Sequence, residues 1–304
     1  MEASRASSPA LPAPGVRQVA ADLLALTKPK VQSLLLLTTV TTMIVAGAMS
    51  DHSVSIGLIA ATFIGGYLSA GGAGAVNHWF DRDIDAQMAR TATRPIPSGR
   101  MAPATALWFG IALGVTGFVW LTITTNVLAA SLSFSGFLGY TLLYTAWLKR
   151  RTWQNIVWGG AAGAIPPLVG WAAVTGGLTG LPVYLFAIVF FWTPPHFWAL
   201  SLLMKDEYAK VGVPMLPVVR GERETRRQIL LYTVLLYAVT QLPYCAGGLG
   251  SIYLVASLVL GGTFIGGAVA LQRRADRRSA LRLYLFSLLY LALLFAAMVA
   301  DVKL

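Results

Sequence analysis

Nine apolar runs of about 20 residues, each nearly free of charge, leave this chain few places to fold other than a lipid bilayer. They lie at roughly 31–50, 54–77, 104–123, 127–147, 154–175, 182–203, 228–248, 251–271 and 280–300. Each is continuous instead of alternating with period two. In hydrocarbon, backbone N–H and C=O groups must bond within their own segment or around a closed sheet, so continuous runs predict helices and exclude a barrel of strands. Composition agrees: 56% of the 304 residues are hydrophobic and 12% charged, more apolar surface than a soluble domain can bury. The expected fold class is all-α, a polytopic membrane protein with nine transmembrane helices in one embedded domain, 26–304. The Ala-, Pro- and Ser-rich stretch 1–25 reads as a disordered cytoplasmic arm, with no cleavage-type run before the first span.

A net charge of +11 raises nucleic acid as a partner, and the placement of the cations argues against it. Every Lys and Arg except Lys303 lies in the N-terminal arm, in the connections after spans two, four, six and eight, or, for Arg282, at the start of the ninth helix. The opposite connections carry none. Basicity therefore reports orientation. It predicts a cytoplasmic N-terminus, a C-terminus on the periplasmic or extracellular side of a bacterial inner membrane, and some attraction to anionic membrane lipid. The single cysteine, Cys245, excludes an internal disulfide and a cysteine metal cage, and reads as a packing residue of the seventh span.

Against so apolar a background, the run Asn77-His-Trp-Phe-Asp81-Arg-Asp83-Ile-Asp85 at the cytoplasmic end of the second span concentrates three acids in five residues. If the helix continues, Asn77, Asp81 and Asp85 recur every fourth residue and form a stripe about 12 Å long, while Asp83 points away. Two carboxylates and an amide carbonyl suit Mg²⁺, which takes one or two protein carboxylates and completes its shell with water and substrate phosphate. The natural client is a diphosphate. A solvated helix end is the competing reading. Arg94, in a loop stiffened by Pro95, Pro97 and Gly99, and Lys149, beside Arg150 below the fourth span, are the cations placed to take diphosphate oxygens.

A second polar concentration follows the sixth span, where Asp206 could share a second Mg²⁺ with Asp81 and Asp85; an acid balanced by Lys205 and Lys210 in a solvated loop is the alternative. His196 sits in Trp192-Thr193-Pro194-Pro195-His196-Phe197-Trp198, where the double proline predicts an interrupted helix. It is either a hydrogen-bonded helix contact or a ligand to a flat aromatic substrate. Acids, metal, cations and an aromatic bundle together describe intramembrane prenyl transfer. Mg²⁺, Arg94 and Lys149 would hold charge developing on a leaving diphosphate, while aromatic faces shelter an allylic cation from water.

These residues resemble the UbiA-type intramembrane prenyltransferases, whose first motif, Asn-x3-Asp-x3-Asp, is matched by Asn77, Asp81 and Asp85. The resemblance extends over nearly the whole chain after residue 25 and is closest to the branch that farnesylates haem. Leu26-Thr-Lys-Pro-Lys30, Arg90-Thr91 with Arg94, Tyr144-Thr-Ala-Trp-Leu-Lys149-Arg150, Gly163-Ala-Ile-Pro-Pro167, Trp192 to Trp198 and Pro214-Met-Leu-Pro217 carry it. It implies transfer of farnesyl from farnesyl diphosphate to a vinyl group of haem B (protohaem IX), giving haem O for terminal oxidases, with a haem A synthase as a conceivable partner. It implies Asn77, Asp81, Asp85 and Lys149 as catalytic and Asn77, Asp81, Asp85 and Asp206 as metal ligands. Arg94, Arg150, Tyr144, His196, Asp206 and Trp198 become substrate contacts. The chain departs from many family members at the second motif, where Asp206 is followed at four residues by Lys210 instead of a second Asp. A family member prenylating an aromatic quinone precursor is the runner-up, and a transporter the reading from another class.

Overall fold

The computed structural model describes residues 15–50 and 52–303, and the secondary structure among them is helical throughout. By length and composition, nine helical segments among the described residues can cross a membrane. A short helix α1 (Val16–Leu26) precedes the first span, α2 (Pro29–Met49). The second and third spans are α3 (Ile56–Phe80) and α5 (Pro103–Thr124), with the short α4 (Arg82–Gln87) between them. The fourth begins as α6 (Val127–Leu138) and ends in a wider π-helical segment, Gly139–Trp147, followed by the tight turn Leu148–Arg150. The fifth is broken into α7 (Asn155–Gly163) and α8 (Pro166–Thr175), and the sixth is α9 (Gly180–Leu203). Short α10 (Lys205–Lys210) and α11 (Leu216–Val219) lead to α12 (Gly221–Thr240), α13 (Leu242–Cys245), α14 (Ser251–Arg274) and α15 (Arg277–Lys303).

Local chemistry sets several of these boundaries. Pro29 and Pro103 occupy first-turn positions, where a missing N–H costs nothing. The Ser55 hydroxyl accepts from Leu58 N at 3.1 Å and the Asn126 carbonyl from Ala129 N at 2.8 Å, capping α3 and α6. Spans two and three pack backbone to backbone: a Cβ on Gly110 would stand 2.7 Å from the Gly72 carbonyl oxygen. Such close approach is what small residues permit in lipid, where packing and not water drives association.

Three expectations change here. Residues 1–14 of the arm lie outside the described residues, but Val16–Leu26 is helical and docked, its Asp22 carboxylate held by Arg100 at 3.1 Å. The double proline Pro194-Pro195 does not interrupt α9. Thr193 Oγ1 donates to the Val189 carbonyl at 2.8 Å, and packing against α15 supports the helix through the prolines. At Pro166-Pro167, by contrast, the chain does break, between Gly163 and Pro166. Cys245 is exposed, not packed, because α12 has ended before it.

The largest core joins α9, α12, α14 and α15 through fully buried Leu185, Ile188, Ile229, Tyr253, Phe264, Tyr290 and Phe295. Its polar tips are paired: the Tyr253 hydroxyl donates to the Thr240 carbonyl at 2.6 Å, and the Tyr290 and Thr240 hydroxyls meet at 2.9 Å. Spans one to five supply the other wall, and the charged site lies at the end where α3, the π-helical segment and the start of α2 converge.

Candidate active site

The helical register of α3 survives its nominal end. Asp81 N donates to the Asn77 carbonyl at 2.9 Å and Asp85 N to the Asp81 carbonyl at 2.7 Å, so the four-residue period carries through into α4. Asn77, Asp81 and Asp85 consequently share one face, all at least 97% buried. Asp83 falls on the other side, 58% exposed, where Arg150 grips it at 2.6 Å.

Each member of the buried row meets a cation. Lys149 Nζ lies 2.5 Å from Asp81 Oδ2, Arg94 2.6 Å from Asp85 Oδ2, and Lys28 Nζ 2.5 Å from Asn77 Oδ1. Two carboxylates face three basic side chains, which favours a polyanion as guest. Burial, with the nearby Arg94 and Lys149 charges, pushes Lys28 down to about 7. Lys28 reaches the row because its backbone is left-handed (φ 53°) ahead of Pro29, a strained conformation for a side chain larger than glycine.

The orientation of Asn77 is set by its neighbours. Its Nδ2 donates to Asp81 Oδ2 at 2.8 Å and to Thr145 Oγ1 at 3.2 Å, while the Thr145 hydroxyl is itself spent on the Tyr140 carbonyl five residues back at 2.8 Å. Oδ1 is thereby turned toward Lys28 and the row. The π-helical segment makes this possible, since its extra residue per turn rotates Thr145 toward α3, and the tight turn after it delivers Lys149. Beneath, Tyr140 and Tyr144 pair at 5.4 Å, with Lys28 6.0 Å from the Tyr140 ring centre. Tyr208 of α10 lies beside Arg90 and within the field of Asp81; burial pushes its phenol up.

Sequence reasoning therefore missed Lys28, Tyr140, Thr145 and Tyr208. Only Lys28 carried a signal, as the cation ahead of a proline at the mouth of a span.

Four expected members stand elsewhere. Arg150 is spent on Asp83 and on the Phe80 carbonyl, 2.6 Å away, at the exposed rim. Asp206 is exposed on α10 and does not join the row, because that short helix turns it outward while Glu207 Oε2 is sealed without a partner. His196 packs between Trp192 and Tyr284, at 4.4 and 4.9 Å, and its Nδ1 is 2.7 Å from Ser287 Oγ. Because the Ser287 hydroxyl donates to the Tyr284 carbonyl at 2.6 Å, Nδ1 must be the protonated nitrogen; this is a helix contact between α9 and α15. Trp198 is a fully buried core residue packed edge-on to Tyr232 at 5.1 Å.

No cluster of three or more His, Cys, Asp or Glu forms among the described residues, and the row as it stands offers a divalent ion two carboxylates. One observation favours such an ion: Asp81 Oδ1 is buried with no donor in reach. With Asp85 and the oriented Asn77 Oδ1 it is an all-oxygen set, the hard donors Mg²⁺ prefers.

A membrane-spanning helical bundle with a buried oxygen row, flanked by cations at one end, defines an integral-membrane protein with a charged site at one mouth of its bundle. Residues 35–294 match the UbiA prenyltransferase family, and the chain belongs to it. It is 54% identical over 95% of its length to a protein of Chloroflexus aurantiacus named protoheme IX farnesyltransferase. A protein of the same name from Symbiobacterium thermophilum is 52% identical, with 94% of this chain covering 95% of it. The chain spans about half the length of several relatives it matches, 49% of the Chloroflexus protein among them. Of solved structures, a digeranylgeranylglyceryl phosphate synthase superposes with a TM-score of 0.75 at 19% identity, covering 94% of this chain and 99% of that one. A UbiA homologue of Archaeoglobus fulgidus bound to DMAPP and Mg²⁺ gives 0.66 at 13%, covering 91% and 99%. These likenesses place the fold.

Proposed function

We propose that the protein transfers farnesyl from farnesyl diphosphate to a vinyl group of haem B, releasing diphosphate and adding water to give haem O. The observation that carries this reading is the buried row Asn77, Asp81 and Asp85 with a cation on every member, joined to the relatives' shared name. Asp81, Asp85 and Asn77 would hold Mg²⁺, which when bound supplies charge neutralisation on the diphosphate oxygens. Lys149, Arg94 and Lys28 leave their partners in the row and turn to the diphosphate, stabilising charge that grows as the C–O bond breaks. Asp81, Asp85 and Asn77 keep these cations beside the row until the diphosphate arrives. The paired Tyr140 and Tyr144 rings would offer their faces to an allylic cation and shield it from water.

The basic connections support a cytoplasmic N-terminus and site in a bacterial inner membrane, on the side where the soluble diphosphate would arrive. Haem A synthase, as consumer of haem O, fits this reading as a partner. The deciding experiment incubates membranes carrying the protein with labelled farnesyl diphosphate and either haem B or 4-hydroxybenzoate. Label on a haem with a hydroxyethylfarnesyl tail is expected; label on the benzoate alone rejects the assignment.

A further inference from the structure

Away from the aspartate row, a cavity of about 460 Å³ opens between α12 and α14, lined by Arg220, Arg223, Glu224, Arg227 and Gln272. Arg220, Arg223 and Arg227 are spaced by three and four residues and so share one stripe at the start of α12. Their charge is poorly compensated. Glu224 is committed to Arg227 at 3.4 Å and to Gln228 at 2.7 Å, and Glu222 to Lys205 and Arg226. Among the described residues Arg220 and Arg223 have no acidic partner; Arg220 rests on the Trp153 ring at 5.5 Å. This cation cluster also stands at a helix N-terminus, where the dipole favours negative charge. An anion in the cavity removes both penalties.

Below the arginines, the same stripe continues into Leu231 and Val234, about half exposed on a face suited to hydrocarbon. The surface thus changes from guanidinium to apolar along one helix, matching a phospholipid, with phosphate above and acyl chain below. We propose that this cavity binds the phosphate of an anionic phospholipid such as phosphatidylglycerol in the adjoining leaflet. The site is separate from the charged row and does not depend on the farnesyl reading.

The full chain is reconstituted in phosphatidylcholine nanodiscs with increasing phosphatidylglycerol, as wild type, as R223Q/R227Q and as R278Q, an exposed arginine on the same side outside the cavity. Bound lipid is counted by native mass spectrometry and the melting midpoint is followed. Wild type and R278Q should retain a phosphatidylglycerol and melt higher as its fraction rises. The double variant, melting like wild type in pure phosphatidylcholine, should bind it roughly 30-fold more weakly, from about fivefold per arginine. Equal retention by all three proteins overturns the site. Inorganic phosphate that raises the midpoint as far and displaces the lipid shows a soluble-phosphate site and overturns the lipid assignment. A double variant that melts lower in pure phosphatidylcholine is replaced by R220Q, judged on lipid retention alone.

Discussion

Asp81 is tightly held, buried between Lys149 and Asn77 with its second oxygen unpartnered. Asp81→Ala or Asp85→Ala should each lower farnesyl transfer by at least about 100-fold, the scale seen when a charge-stabilising group is lost from a transition state. Lys28→Met should lose a comparable amount, since among the described residues Lys28 is the cation bonded to Asn77 Oδ1. Asp83→Asn should keep nearly full turnover, because its carboxylate serves only the exposed pair with Arg150. Turnover assays on proteins with unchanged melting midpoints check all four; equal losses at Asp81 and Asp83 would remove the distinction between the two faces. That distinction was legible from residue spacing, because the period of a helix sorts 77, 81 and 85 from 83 without knowledge of any neighbour. Thr145 and Tyr208 were not, and Lys28 was signalled only by its place ahead of Pro29, since each arrives from another part of the chain through a backbone irregularity or a loop. Asp206 and Glu207 illustrate the same limit: which of two adjacent acids turns inward depends on how a six-residue helix docks.

At the scale of elements, spans are easy to read and their irregularities are not. Apolar length sets nine crossings, but nothing in Gly139–Trp147 announces a π-helical turn, and tertiary contacts carry α9 through two prolines that mark a break in isolation. Helix α1 was hidden for a related reason: its composition suits a flexible arm, and distant residues dock it, Arg100 on Asp22 and an apolar cluster around Leu26. Arg100 holds Asp22 below the ordinary aspartate value. A carboxylate whose folded pKa is depressed stabilises the docked form above the unfolded value and loses that contribution as pH falls through the folded one. Below about pH 4, α1 should therefore loosen first. Asp22→Asn should produce the same loosening at neutral pH, read as faster amide exchange across Val16–Leu26 with the spans still protected. In the α3–α5 seam, Gly110→Val adds methyl groups where a Cβ already meets backbone at 2.7 Å. A loss of about 1–3 kcal/mol is expected, measured as a lower melting midpoint.

For the whole molecule, charge balance separates folding from chemistry. The site's two buried carboxylates are each paired with a cation, Lys149 and Arg94, so the charge of the row does not wait on a metal. Its apolar core lies mainly among α9, α12, α14 and α15, outside the row. In small zinc-dependent domains the ligands cannot fold without the ion, because metal binding supplies the folding free energy. Here the cations occupy that electrostatic role until substrate draws them away. Chelating divalent ions with EDTA should accordingly abolish farnesyl transfer while leaving the melting midpoint where it was, and added Mg²⁺ should restore turnover. In Asp81→Ala, Lys149 loses its carboxylate and Mg²⁺ a ligand, so restoration should need far more metal or fail. If EDTA lowered the midpoint of the wild type together with its activity, the basic residues would not be balancing the row, and the separation argued from these ion pairs would be wrong.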